Sequence, residues 1–321
     1  MATEKMMETA GEITDIKAFA SAIKRTLELE YPDSDVEIHE VPKNNSQMWT
    51  GIVIRGKGRN IAPTVYLEEL FKMYRNGKPL DEICRTIQRI HTETNPAGNF
   101  DVSSITDFAA VKGKICFKLV NAGRNAAMLR EVPHRLWQDL AVVYYVVISK
   151  ESAGGVSSLA VKNDIMGLWG VDEPALYERA RINTPALFKA GITPITEVIN
   201  NMCKGMEGTE AEAVARLLNA EDVENAPPLY VAGNDSMANG AAVMLYDGVL
   251  EEFSRQVNSD FYIFPSSIHE TLFMPALPDS DGCMLPEMVR EINAYCLNPE
   301  DILSDNVYRY YAEDGVVKLI F

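Results

Sequence analysis

The sequence predicts an α+β fold in which mixed sheets with hairpins pack against helices, and not a regular parallel α/β fold. The first observation is a pair of strand-like runs, Val36–Val41 and Met48–Arg55, on either side of a short polar segment. The second is the turn Glu313-Asp314-Gly315 between two runs near the C-terminus, which is a strong hairpin signal. Helical apolar stripes accompany these hairpins, and such a mixture is typical of α+β proteins.

The first section, residues 1–122, is near-neutral in charge and combines helices with one hairpin. A helical stripe stops at Tyr31-Pro32, because the residue before a proline disfavours helical backbone angles. The hairpin tip contains Asn44 and Asn45, which suit a turn because Asn tolerates left-handed angles. The predicted elements are helix 16–27, strands 36–41 and 48–55, helices 66–74 and 80–91, and strand 113–121.

The second section, residues 123–321, is acidic and also mixes strands with helices. Pro174 and Pro286 suit the first turns of two helices. Thr209 and Glu212 have capping-box spacing before a short apolar face. The apolar run Ala241–Tyr246 is predicted to be a strand. The other predicted elements are strands 139–149, 156–161, 229–232, 261–264, 268–274, 307–311 and 316–321, and helices 174–182, 250–257 and 286–296.

The composition is that of a soluble globular protein with two domains. The chain has 321 residues, of which 47% are hydrophobic and 24% charged. The longest apolar run, Leu140–Ile148, is too short to span a bilayer, and no signal peptide is visible at the N-terminus. The five cysteines are widely spaced without a CxxC pair, which indicates reduced thiols. The sequence therefore predicts a cytoplasmic protein without a membrane segment.

The formal net charge of −16 is concentrated in the second half of the chain. Residues 1–130 carry 18 basic and 17 acidic side chains, a balance of +1, whereas residues 131–321 carry 12 and 29, a balance of −17. An acidic surface repels phosphate backbones, so this composition argues against nucleic-acid binding. The ordinary interpretation of such a charge is a solvated surface that aids solubility.

The run Asp260–Met274 contains the candidate catalytic residues Ser267, His269 and Glu270. Alternate side chains of a strand share a face, so a strand here places Ser267 and His269 together and Glu270 opposite. A Ser267–His269 pair is then geometrically possible, whereas a His269–Glu270 pair is not. The competing interpretation is a strand break at Pro265, with serine hydroxyls capping the backbone and His269 hydrogen-bonded at a sheet edge.

Two further groups are candidates for phosphate or ligand binding. Arg55, Lys57 and Arg59 place three cations among glycines at a strand end, where cations and backbone amides can hold a phosphate. Asn44 and Asn45 can bind a ligand, although they also form turns unaided. The three basic residues lack the spacing of a P-loop or dinucleotide site, and the four histidines are scattered, so the sequence predicts no cofactor and no metal.

Several phrases of the sequence, taken in order, resemble those of one family. They are Val41-Pro-Lys-Asn-Asn45, Gly51-Ile-Val-Ile54, Ile61-Ala-Pro-Thr-Val-Tyr66, Val132-Pro-His134, Asp139-Leu-Ala-Val-Val143, Asn183-Thr184-Pro185, Gly240-Ala-Ala-Val-Met-Leu-Tyr246, Val249-Leu250 and Asp260–Glu270. From about Val36 onward the chain resembles the domain of unknown function 5688 family, proteins of Gram-positive gut anaerobes. The resemblance implies a cytoplasmic bacterial protein and brings no known activity, substrate or catalytic residue.

The sequence thus leaves enzymatic activity open and favours one function class. No complete catalytic or cofactor motif occurs in 321 residues, which favours a non-catalytic binding or regulatory protein with an unknown protein partner or with self-association. The alternative is an enzyme, such as a hydrolase, with a site around Ser267, His269 and Glu270. A third hypothesis is a regulatory module of a mobile element that uses the near-neutral first half.

Overall fold

The computed structural model describes residues 13–95, 98, 101, 103–150, 156–203, 228–276 and 285–320. The contacts between residues divide the chain into two compact units. The first extends to Lys43 and continues from Gln47 to residue 102, and the second comprises Asn44–Ser46 and the chain from Ser103 onward. The predicted capping box at Thr209 and Glu212 lies outside the described residues.

In the part of the first unit that the structure describes, three helices accompany a three-stranded antiparallel sheet. Its elements are α1 (Ile16–Glu30), β1 (Ser34–Pro42), β2 (Met48–Gly56), β3 (Thr64–Tyr66), α2 (Glu68–Arg75) and α3 (Leu80–Thr94). β1 and β2 form the predicted hairpin, with Val36 opposite Ile54 and Ile38 opposite Ile52. The sheet order is β1-β2-β3.

The core of the first unit lies between one face of this sheet and the helices. Asp15 caps the N-terminus of α1, because its carboxylate accepts a hydrogen bond of 2.8 Å from the Ala18 amide and so satisfies a free donor of the first turn. The buried stripe of α1, including Phe19 and Ile23, packs against Ile52 of β2. The helical period of the apolar residues thus places one side of α1 on the sheet, as the sequence predicts.

The second unit contains most of the chain. Among the described residues, its helices are α4 (Ser103–Thr106), α5 (Phe108–Val111), α6 (Ala126–Leu129), α7 (Asn163–Trp169), α8 (Glu173–Leu187), α9 (Ile195–Cys203), α10 (Val249–Val257) and α11 (Leu285–Cys296). Its strands are β4 (Ile115–Asn121), β5 (His134–Trp137), β6 (Leu140–Lys150), β7 (Val156–Ala160), β8 (Ala190–Pro194), β9 (Tyr230–Asn234), β10 (Phe261–Phe264), β11 (Thr271–Pro275), β12 (Tyr308–Tyr311) and β13 (Val316–Leu319). Two 3-10 helices, Asn44–Ser46 and Gly240–Leu245, also belong to it.

The strands of the second unit form two antiparallel sheets. In the first, β6 pairs with β4 along one edge and with β5 and β7 along the other. The second has six strands in the order β13-β12-β10-β11-β9-β8. Antiparallel hairpins packed with helices confirm the predicted α+β class, and β12–β13 is the predicted C-terminal hairpin.

The prediction of a strand at Ala241–Tyr246 is wrong. The segment Gly240–Leu245 is a 3-10 helix that is buried between the two sheets of the second unit. Its small residues approach the turn before β11 closely, and the Ala241 amide donates to the Ile268 carbonyl at 3.2 Å. A short apolar run buried on all sides has no periodicity that separates a strand from a helical segment, which explains the error.

Candidate functional site

The turn 265–270 joins β10 to β11 and contains the candidate catalytic residues. β11 begins at Thr271 and not at Ile268, so the residues before it do not alternate between the faces of a strand. The His269 amide donates to the Ser267 hydroxyl oxygen at 3.0 Å, which makes a local turn. Ser267 also forms an isolated β-bridge with Ile302. Ser267 and His269 are therefore joined by a hydrogen bond to the His269 backbone amide, and their side chains do not share a strand face.

The Ser267 side chain is enclosed by the protein. Ser267 is only 2% exposed, and its oxygen accepts the His269 amide. A nucleophilic serine needs a base within hydrogen-bond reach and space for the group that it attacks. Within the described ranges, no hydrogen bond joins this hydroxyl to the His269 ring. The arrangement is typical of a hydroxyl that caps a turn.

The partner of His269 is Asp301, which sequence analysis missed. The Nε2 atom of His269 lies 3.3 Å from Oδ1 of Asp301, and Asn298 donates to the other oxygen of that carboxylate at 3.0 Å. The His269 Nδ1 atom is buried and has no hydrogen-bond partner among the described residues. The Ile268 amide also donates to the Asp301 carbonyl at 2.8 Å, so side chain and backbone together join the turn to the segment 298–306.

Glu270, the third candidate, does not contact the imidazole. Its Cβ lies beside Gly233 of β9, and its carboxylate makes no hydrogen bond or ion pair within the described ranges. The sequence separated Glu270 from His269 on the assumption of a strand, whereas residues 265–270 form a turn before β11. A carboxylate does lie beside His269, but it comes from a position 32 residues later in the chain.

His269→Ala is expected to lower stability by about 1 kcal/mol, a melting-temperature decrease of about 2 °C, because the Asp301 carboxylate loses its imidazole partner. Thermal unfolding followed by circular dichroism measures this change. The control is His39→Ala, since His39 is half-exposed and its partner within the described ranges is the neighbouring Glu37. Equal melting temperatures for both variants would argue against a structural role of the His269–Asp301 pair.

The segment 298–306, which follows α11, forms a polar hub with residues from other elements. The carboxylate of Asp139 accepts hydrogen bonds from Ser304 at 2.7 Å, from Asn306 at 2.9 Å and from the Tyr308 hydroxyl. Burial, followed by the nearby Asp139 charge, raises the pKa of Tyr308, so the phenol remains a donor. Asn293 of α11 donates to the Ser304 carbonyl at 2.9 Å, which attaches the helix to the hub.

Asn44 and Asn45, the candidate ligand-binding pair, use their amides within this hub. Asn44 donates to the Glu300 carbonyl at 2.7 Å. Asn45 donates to the carbonyls of Pro299 at 2.8 Å and of Ile302 at 2.6 Å. Asn45 also has φ 57° and ψ 35°, the left-handed conformation that the sequence predicts for this turn. These contacts give the pair a structural role in the second unit.

The basic loop is partly neutralised in the first unit. Arg55 donates to the Glu37 carboxylate at 2.9 Å, and Lys57 forms an exposed ion pair with Asp33 at 3.2 Å. The Arg59 amide donates to the Gly56 carbonyl at 3.1 Å, and Gly58 between them has φ +77°. Arg55 and Lys57 therefore face carboxylates, which lowers the positive field that a phosphate site requires.

Helix α11 presents a second candidate site, an exposed apolar stripe. Met288, Ile292 and Tyr295 follow one another at i, i+4 and i+7, which places them on one face of the helix. Their exposures are 46%, 45% and 89%. The opposite face is fixed in the second unit by the buried residues Val289 and Asn293. We call Met288, Ile292 and Tyr295 the α11 stripe.

Among the residues that the structure describes, none of the helices is long and apolar enough to cross a membrane. In the same ranges, no three His, Cys, Asp or Glu side chains converge in a group that could hold a metal ion.

Comparison with known proteins gives one finding. Neither a curated protein nor a solved structure matches the chain. The profile of a family described as a family of unknown function, DUF5688, matches residues 16–312. This match covers both units and all the candidate sites described above. The chain belongs to the family of unknown function DUF5688.

Proposed function

We propose that the protein is a non-catalytic binding protein whose protein partner docks on the α11 stripe. The observation that carries the proposal is the exposure of Met288, Ile292 and Tyr295 in a row on one helix face. Apolar side chains at i, i+4 and i+7 are the usual anchors between an amphipathic helix and its partner. Tyr is also among the residues that contribute most to binding energy at protein interfaces.

The buried face of α11 fixes the position of the helix, and therefore of the stripe, before a partner binds. Val289 is buried in an apolar cluster with Tyr262 and Phe264 of β10. The Asn293 amide donates to the Ser304 carbonyl and to the Asp305 carboxylate, both at 2.9 Å. A helix fixed in this way loses little conformational freedom when a partner binds, which favours affinity.

The charges beside the stripe indicate a basic partner. Glu287 and Glu291 are exposed and lie one helical turn apart, and the exposed Arg290 beside them offsets one of the two charges, which leaves a net charge of −1 next to the stripe. The balance of −17 over residues 131–321 adds a longer-range attraction for positive charge. We therefore propose as partner a protein segment that forms an amphipathic helix with apolar and basic residues. A second copy in an antiparallel pair would bring its own two glutamates to the same side.

The alternative, an enzyme with a site at His269, has one supporting observation. A carboxylate on one imidazole nitrogen is the arrangement by which proteins orient a general base. The other nitrogen, Nδ1, would have to act as the base, and it is buried. Ser267 is buried as well, so we give the binding function precedence.

We further propose that the protein acts in the cytoplasm of a bacterial cell. The support is the state of its described cysteines, of which Cys84 and Cys116 are free and buried and Cys296 is free and exposed. Burial raises the pKa of Cys84 to about 11 and that of Cys116 to about 12, so both remain thiols at neutral pH.

The docking proposal is tested with Ile292→Glu and a synthetic 18-residue amphipathic helix of Leu and Lys as the probe. The variant is expected to weaken peptide binding at least about tenfold, because the anchor is removed from the centre of the stripe. Its stability should change by no more than about 0.5 kcal/mol, as for other exposed positions. Fluorescence anisotropy of the labelled peptide at physiological salt measures the affinity.

The control is Ile182→Glu, which adds the same charge at a position that is 59% exposed on α8. It should bind the peptide like the unmodified protein. Equal weakening by both variants would mean non-specific attraction of a cationic peptide and would reject the α11 stripe. A stable dimer in sedimentation that Ile292→Glu dissociates would instead identify a second copy as the partner.

A further inference from the structure

Strand β8 lies at one edge of the six-stranded sheet and pairs with β9 on its inner side. Among the described residues, no strand pairs with its outer side. Ala190 and Gly191 are exposed, and Ile192 and Thr193 are half-buried. The outer edge of β8 is therefore accessible to another chain.

The backbone groups of alternate β8 residues point to this open edge. Lys189, just before the strand, accepts a hydrogen bond of 3.0 Å from the Asp235 amide, and Ile195, just after the strand, donates at 2.9 Å to a carbonyl on the β9 side. Bonded and non-bonded positions alternate along an antiparallel strand. The N–H and C=O groups of Ala190 and Ile192 therefore point away from β9.

β8 lacks the features by which proteins commonly protect an exposed edge strand. Such strands usually carry charged side chains, a bulge or an early proline, or another segment covers them. The residues of β8 are uncharged, their register with β9 is continuous, and proline occurs at the last position, Pro194. At the opposite edge of the same sheet, by contrast, β13 carries Lys318, and Gln138 donates to the Val317 carbonyl at 3.0 Å. An unprotected edge such as that of β8 is typical of a surface that adds a strand from another chain.

We infer that β8 pairs with β8 of a second copy, in antiparallel orientation about a two-fold axis at Gly191. Two-fold dimers are the commonest oligomers, and they require a surface that is complementary to itself. In this register Ala190 lies opposite Ile192 of the second copy, so the outward-pointing groups meet, and each such pair exchanges both of its backbone hydrogen bonds. The sheets of the two copies then form one continuous antiparallel sheet.

The side chains of β8 fit this two-fold register. Gly191 meets Gly191 of the second copy at the axis, in a pair without hydrogen bonds, where opposed residues of antiparallel strands approach most closely. An added Cβ on Gly191 would enter open space, so its own chain does not obstruct the approach. Lys189, the nearest charged residue in the sequence, lies opposite the uncharged Thr193. No like charges face each other in this register, which favours a second copy as the partner.

Sedimentation velocity of the full chain over a concentration series tests the pairing. A contact between two short strands is at the small end of specific interfaces, so we expect a reversible dimer with a dissociation constant of about 10 µM. Ala190→Pro removes an N–H donor to the second copy and should raise that constant at least about tenfold. Proline is tolerated at the first residue of a strand, so this variant is expected to fold. The control, Ala190→Val, keeps the N–H and should dimerise like the unmodified protein.

Charge exchange at Gly191 tests the position of the axis. Gly191→Glu and Gly191→Lys each place two like charges directly opposite each other, so each variant alone should dimerise at least about tenfold more weakly. An equimolar mixture of the two variants should recover the dimer, because opposite charges then meet at the axis. Both new side chains enter open space, so the variants are expected to fold, and thermal unfolding provides the check.

Several results would overturn the inference. They are a chain that stays monomeric up to about 200 µM, well above the expected dissociation constant, equal dimerisation of Ala190→Pro and Ala190→Val, and no recovery in the mixture of the Gly191 variants. Ile292→Glu changes the α11 stripe and should leave the β8 dimer intact, so the two proposals fail separately. A dimer that Ile292→Glu dissociates and Ala190→Pro leaves intact would place the contact at the α11 stripe and reject β8.

Discussion

Replacing Gly240 by alanine is expected to destabilise the protein by about 3 kcal/mol or more. A Cβ at this position would lie 2.2 Å from the His269 carbonyl oxygen and 2.9 Å from the Asn234 amide nitrogen. Both neighbours are backbone atoms, so no side-chain rotation relieves the overlap. Overpacking of a well-filled interior commonly costs about 1–3 kcal/mol of stability. Because the backbone itself must shift here, we expect a cost at or above the upper end of that range.

Gly233→Ala provides a matched control for that expectation. Gly233 lies against the same turn, but its added Cβ would meet the His269 oxygen at 3.6 Å and the Glu270 Cβ at 3.7 Å, which are ordinary contacts. Urea unfolding should therefore show a large decrease of the midpoint for Gly240→Ala and a change of less than about 1 kcal/mol for Gly233→Ala. If the two variants unfolded at the same urea concentration, the close approach of Gly240 to the turn 265–270 would be refuted.

The role of Gly240 illustrates what the sequence could not predict. Hairpins β1–β2 and β12–β13 were predictable, because the turn residues of a hairpin and the alternating residues of its two strands lie close together in the sequence. The run Ala241–Tyr246 was assigned to the wrong element, because its environment consists of strands far away in the sequence. Burial on all sides removes the periodicity on which such an assignment depends.

In the candidate sites, too, some features were predictable from the sequence and others were not. The left-handed turn at Asn45 follows from the intrinsic preference of Asn and was predictable from the residue type. The pairing of His269 with Asp301 depends on where the segment 298–306 packs, and no local spacing signals it. On α11 the sequence predicted the helix, but it did not show that Val289 is buried while Ile292 is exposed.

Asn45→Ala is the second substitution for which a large effect is expected, a loss of about 3 kcal/mol. The change removes the donors to the Pro299 and Ile302 carbonyls and the acceptor for the Asn125 side-chain amide at 3.0 Å. Asn45 and Asn125 are both buried, so water cannot fully replace these bonds, and a buried polar group left without a partner costs about 1–3 kcal/mol. Alanine also adopts φ 57° less readily than Asn.

Asn45→Gly separates the two causes, because glycine removes the same hydrogen bonds and accepts the left-handed angle. It should recover about 1 kcal/mol relative to Asn45→Ala, and the loss that remains reports the hydrogen bonds. Ser46→Ala is the control, since Ser46 also has φ 57° but is exposed and makes a single side-chain bond to the Arg124 carbonyl. A loss for Ser46→Ala as large as that for Asn45→Ala would mean that backbone strain, and not the buried amide, holds this segment. Chemical denaturation of all three variants under one set of conditions makes that distinction, because Asn45→Gly carries no strain and Ser46→Ala leaves the buried bonds intact.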